Sequence, residues 1–164
     1  MSVTSTPAVE QYIKANENLR LDSYDDKTGR LVLPGQTVIG TLSCGYGHTG
    51  PDVFPGQTVT QDVAEIWFQK DLQAAVRGAV AALGTNPWLD LDPVRRCALI
   101  DMCFELGEFG LAGFGKMLAA IRAADWTTAA YELEASKYYG EVPARAERNR
   151  LMLETGNWPV GFVA

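Results

Sequence analysis

The residues Glu17-Asn18-Leu19-Arg20-Leu21-Asp22-Ser23-Tyr24-Asp25-Asp26, followed after 16 residues by Ser43-Cys44-Gly45-Tyr46-Gly47-His48, mark where a helical pattern gives way to a strand pattern. Upstream, Thr6-Pro7 is a helix start, a hydroxyl to cap and a proline for the first turn, and Val9, Tyr12 and Ile13 follow on one stripe. The spacing predicts a helix over 7–17. From Tyr24 to Gly50 short apolar alternations are broken by Gly29, Pro34-Gly35, Gly40, Gly45 and Gly47, the pattern of a small antiparallel sheet. Leu31 and Leu33 are expected to begin one strand, Pro34-Gly35 to turn it, and Gln36 to Cys44 to return.

Downstream the chain reads as helical. Thr60 is placed to cap a long Ala-rich helix over about 61–82, and Asp92-Pro93 repeats the cap-plus-proline signal before a segment apolar on nearly every side, Val94 to Leu106, stopped by Gly107. Shorter helices are expected at about 115–123, 126–135 and 144–155, the last closed by Gly156. The fold class is α+β: a small N-terminal lobe with an antiparallel sheet, joined by the long helix to a mainly helical C-terminal lobe. At 164 residues a single domain over 1–164 is expected, with lobe 1 at about 13–60 and lobe 2 at about 61–164 plus the helix at 7–17.

Composition narrows the function classes. With 47% hydrophobic and 21% charged residues the chain is globular, and its net charge of −6 argues against nonspecific binding to nucleic acid or anionic membranes. Met1 to Pro7 lacks the basic start and apolar run of an export signal, so none is expected, and no run of 18 apolar residues suggests insertion into a membrane. Three cysteines, an odd number, read as buried free thiols of a reducing compartment, and with one histidine they do not match zinc-ligand spacing, so no metal is expected.

Glu17 at the end of a helix and Asp26 at the start of a glycine-rich sheet suggest two carboxylates across one cleft, which is what glycoside hydrolysis uses: one protonated to donate to the departing sugar oxygen, one ionised. Among 20 acidic residues such a pair alone favours the solvated reading. The wider constellation changes the balance. Ala74 to Gly78, Leu91 to Ile100, Gly107-Glu108, Ala112-Gly113-Phe114, Ser136 to Arg148 and Thr155 to Trp158, together with Glu17-x-Leu19-Arg20-Leu21 and Gly45-x-Gly47-His48, resemble the phage lysozyme (endolysin) family, glycoside hydrolase family 24, from about Tyr12 to Trp158.

The resemblance implies a lysozyme-like fold and a muramidase without cofactor, with Glu17 as general acid, Asp26 as second carboxylate and Ser43 in the place of the family's Thr five residues before His48. It implies inversion, Asp26 and the hydroxyl holding a water, with the carboxyl groups about 6.5 to 9.5 Å apart. A shorter gap would mean retention. Thr28 to Leu42 is an insertion relative to the family, expected to lengthen the hairpin, and Thr41 and Thr37, in step with Ser43, are rival hydroxyls. By family position His48 pairs with Asp71, Arg145 lies beside Glu17, and Phe104, Glu105, Thr49, Met117 and Glu132 contact substrate. Glu105 stands at a family Gln position; a solvated surface acid is an equal reading.

Three functions compete. The first is an endolysin acting on the peptidoglycan glycan strand, a monomer held in the host bacterial cytoplasm until a holin gives it access to the wall. The second is a glycan-holding module without activity. The third is an enzyme of the same design acting on chitin.

Overall fold

The computed structural model describes residues 6–162. The N-terminal stretch 1–5, most of the segment from which no export signal is expected, and residues 163–164 lie outside them. Eight helices and three strands are formed by the described residues: α1 (Pro7–Asn16), β1 (Arg20–Asp25), β2 (Leu42–Gly45), β3 (His48–Thr49), α2 (Gln61–Leu83), α3 (Thr85–Asp90), α4 (Pro93–Ala112), α5 (Gly115–Arg122), α6 (Trp126–Glu134), α7 (Lys137–Glu141) and α8 (Pro143–Thr155). By packing, the chain divides into two compact units, Glu10–Asp71, and Met1–Val9 with Leu72–Ala164.

In the unit Glu10–Asp71 the strands form an antiparallel sheet in the order β1-β2-β3, with Tyr24 opposite Ser43 and Ser43 opposite Thr49. One face covers a core of Cys44, Val53, Val59 and Ala64, against which Leu21, Leu42 and Trp67 pack. Thr60 caps α2 by accepting from the Val63 amide, and Thr6 caps α1 through Val9. The boundary falls inside α2 rather than at its start, and most of α1 belongs with the sheet. The physical reason is side-chain pairing: Lys14 of α1 binds Glu65 of α2 and lies 4.8 Å over the Phe68 ring, while Gln69 donates to Glu10 at 3.0 Å.

The expected hairpin through the insertion does not form. Leu31 makes only an isolated bridge to Tyr24, and regular pairing resumes at Leu42. Amides of Ile39 and Gly40 that a strand would spend on a neighbour donate instead to the Asp25 carboxylate, so the segment folds as an irregular loop.

In the helical unit, Asp92 caps α4 by accepting from Val94 and Arg95 amides at 2.9 Å each, and Ser136 and Asp125 cap α7 and α6 in the same way. The α4 segment buries Cys97, Ala98, Leu99 and Met102 completely, as its all-round apolar pattern requires; each large side chain contributes about 2 kcal/mol. Gly107, at φ 73° and ψ 172°, breaks the helix where the sequence placed its stop, and a second helical stretch runs on from there to Ala112. Helices α3 and α7 escape the pattern because six and five residues are too few to show a period. Arg95 closes the unit, donating through Nε to the Leu153 carbonyl at 2.8 Å and through Nη2 to Glu154 at 3.1 Å, at the end of α8.

Candidate active site

Glu17 follows the last turn of α1, its amide donating to the Ile13 carbonyl at 3.0 Å, and its half-buried side chain reaches the turn after β2. There Gly47 has φ +80°, and a Cβ added to it would lie 3.5 Å from Glu17 Oε2. Glycine thus supplies both the left-handed backbone and the open approach to the carboxylate.

Asp25 ends β1 and Asp26 follows it, the two side chains leaving on opposite sides as a two-residue period dictates. Asp26 is exposed, Asp25 only 3% so. The Asp26 amide donates to the Thr41 carbonyl at 3.0 Å and the Thr41 amide returns to Asp26 Oδ1 at 2.6 Å, which seats Thr41 directly opposite Asp26. Gly40 suits the close approach beside them, because a Cβ there would fall 2.1 Å from Asp26 Oδ1 and 2.9 Å from the Lys27 backbone nitrogen. Tyr24 reports on both acids: burial raises its pKa most, Glu17 raises it further, Arg20, 4.1 Å over the ring, lowers it, and Asp26 raises it. Glu17 and Asp26 therefore act on one phenol from within one unit.

Ser43 is 2% exposed, and its hydroxyl donates to the Thr41 carbonyl at 3.4 Å. Thr41 is exposed. His48 is buried, with Nδ1 2.6 Å from Asp71, Nε2 3.1 Å from Asp52 and its ring stacked 4.5 Å from Trp67. Both ring nitrogens are thus engaged by carboxylates. The hydrogen bond from His48 keeps the Asp52 carboxyl below its ordinary range. Thr49 lies exposed in β3.

The remaining candidates belong to the helical unit. Arg145 of α8 binds Asp101 of α4 through Nε and Nη2, both at 2.9 Å, and Glu105 through Nη1 at 3.1 Å. Asn149 adds a bond to the fully buried Asp101 at 2.7 Å, and the Tyr138 hydroxyl donates to Glu105 at 3.1 Å. Glu105 is thus a member of a network, not a loose surface acid, and burial followed by Glu105 drives the Tyr138 pKa upward. Phe104 is half-buried. Met117, 1% exposed, and Glu132 line a cavity of about 480 Å³ with Phe114, Lys116 and Ser136.

Two residues escaped the sequence reading. Asp25 gathers the amides of Lys27, Thr28, Ile39 and Gly40, and its signal was the Asx-turn pattern of an acid followed by Lys27-Thr28-Gly29. Asp101, an acid on an otherwise apolar helix face, is held from 44 and 48 residues away, for which no local signal exists. Among the described residues no group of three His, Cys, Asp or Glu is arranged to hold a metal, and no helix is long and apolar enough to cross a membrane.

Comparison with known proteins gives a consistent answer. The family described as phage lysozyme matches residues 14–150. A probable T4-type lysozyme of Dictyostelium discoideum is 26% identical over 91% of this chain and 95% of its own length. The pre-baseplate central spike protein of Enterobacteria phage T4 is 33% identical over 63% of this chain, which spans only 18% of that protein. The endolysin of Bacillus phage B103 is 28% identical over 88% of this chain and 51% of its own.

Proposed function

Because the chain belongs to the phage lysozyme family, and is a glycoside hydrolase that lyses peptidoglycan, we propose that it cleaves the β-1,4 bond between N-acetylmuramic acid and N-acetylglucosamine with inversion. Glu17 donates the proton to the departing sugar oxygen, and Asp26 takes one from the attacking water on the opposite face. What supports this reading is that Glu17, beside Gly47 after β2, and Asp26, bonded to Thr41 just past β1, lie in the same sheet-containing unit and both raise the Tyr24 pKa. Asp26 is exposed and one of its oxygens is already fixed by the Thr41 amide, so the other is left to orient a water. Of the three hydroxyls considered, Ser43 is buried and Thr37 lies out in the insertion loop, while Thr41 is exposed and opposite Asp26, which favours Thr41 as the second hold on that water.

Thr49, Phe104, Glu105, Met117 and Glu132 are the proposed sugar contacts, supported for Met117 and Glu132 by the cavity they line. His48 is proposed to hold the sheet to Asp71, a reading supported by their 2.6 Å contact. In the cell the chain is proposed to act as a monomeric endolysin of a phage or prophage, reaching the wall from the host cytoplasm through a holin. Turbidity loss of purified cell walls tests the activity: wild type is expected to clear them and Glu17→Gln to leave them turbid, and equal inertness of the two would overturn the reading. Early-time NMR of the products tests inversion; a retained anomer would reassign Asp26 as a nucleophile.

A further inference from the structure

The insertion between Asp26 and Ser43 makes a second cavity, of about 310 Å³, wholly within the sheet-containing unit. Its walls are fixed. Asp25 holds the loop at both ends through the amides of Lys27, Thr28, Ile39 and Gly40. The middle is tied to its surroundings as well: the Val32 amide donates to the Ser23 carbonyl at 3.1 Å, the Gly56 amide to Val32 at 2.7 Å, and the Leu33 amide to Gln36 Oε1 at 2.9 Å. The cavity is thus preformed, which removes the ordering cost that a floppy loop would impose on a ligand.

Its lining is chemically mixed in an informative way. Thr28, Gln36 and Thr37 are polar, Leu31 and Ile39 are apolar and 54% and 65% exposed, and Arg30 is the only cation. The one acid, Asp25, has its charge met by four backbone amides, so it does not neutralise Arg30, whose side chain makes no ion pair among the described residues. The cavity therefore offers a guanidinium next to alkyl surface, the complement of a carboxylate carried on a short apolar branch.

We propose that this cavity is a substrate subsite for the carboxylate-bearing branch on the muramyl sugar, in addition to the contacts along the sugar backbone. The proposal rests on the muramidase reading, because its location follows from Asp26: Gly40, one residue beyond Ile39 of the cavity wall, packs against the Asp26 carboxylate. A strand whose scissile bond meets Asp26 has its side branches within the insertion's reach. The sugar backbone of that strand is uncharged, so a cationic, partly apolar cavity suits the branch instead. Two sources supply the carboxylate, the lactyl ether itself and the peptide joined to it, and the ligands below separate them.

The test is an NMR titration of the full chain with three ligands that have no bond to cleave: N-acetylmuramic acid, an N-acetylmuramyl dipeptide, and N-acetylglucosamine. Both carboxylate ligands are expected to shift the amides of Thr37 and Ile39, the peptide-bearing one more tightly if the peptide is the anchor. N-acetylglucosamine is expected to leave these amides in place. Arg30→Gln is expected to weaken carboxylate binding at least about tenfold, with Arg30→Lys recovering part of it. Absence of loop shifts with either carboxylate ligand, or equal binding by wild type and Arg30→Gln, overturns the subsite. Wall clearance separates the two readings: a lytically active chain with a silent loop fails the subsite alone, and a lytically inert chain with a responsive loop fails the muramidase reading alone.

Discussion

Asp101→Ala removes the buried acid at the centre of a charge cluster that joins α4 to α8. Asp101 is 0% exposed and accepts from Arg145 Nε and Nη2, both at 2.9 Å, and from Asn149 Nδ2 at 2.7 Å. Taking away one member of a buried pair typically costs about 3–5 kcal/mol, because the remaining charge stays desolvated. Arg145 keeps Glu105 at 3.1 Å and its side chain is 12% exposed, which lets some of that charge be met by a partner and by water. The expected loss is therefore at the lower end, about 3 kcal/mol. For a chain of this size each kcal/mol moves the midpoint by about 2–4 °C, so thermal unfolding followed by circular dichroism should fall by about 6–12 °C. Adding Arg145→Met should recover part of the loss, since the guanidinium that Asp101 held no longer has to be kept partly desolvated. A single variant within about 0.5 kcal/mol of wild type, or a double variant whose losses simply add, would refute the reasoning.

Asp25 predicts an acid limb. Backbone donation, chiefly from Ile39, holds its carboxyl below the ordinary range, so the folded state binds that proton less readily than the unfolded one. Its stabilisation is present above the unfolded value of about 3.9 and is lost as pH falls through the lower folded value. Urea midpoints measured across the acid range should drop more steeply for wild type than for Asp25→Asn; parallel curves would contradict this. The thiols offer a separate check: burial pushes Cys103 up to about 11 and raises Cys97 and Cys44, so a thiol reagent should label none in the native protein and all three after unfolding. Rapid labelling of a native thiol would mean that the core opens more readily than its packing implies.

What the sequence determined by itself was whatever depends on neighbours a few residues apart. Thr6, Thr60 and Asp92 cap helices because a side-chain oxygen can reach an amide two or three positions on, and the apolar surround of α4 announces a buried helix. The order of Glu17, Asp26 and the Gly-x-Gly-His motif was equally legible, and with it the family. Tertiary structure decided which acid of the Asp25-Asp26 pair is buried as an anchor and which is exposed. It decided that the insertion folds around a carboxylate instead of pairing as strands, that Ser43 is enclosed while Thr41 is open, and that Arg145 is gripped by Asp101. Each of these turns on where a distant amide or guanidinium arrives when the chain closes, and a charged group's energy depends on that arrival far more than on its own neighbours in sequence.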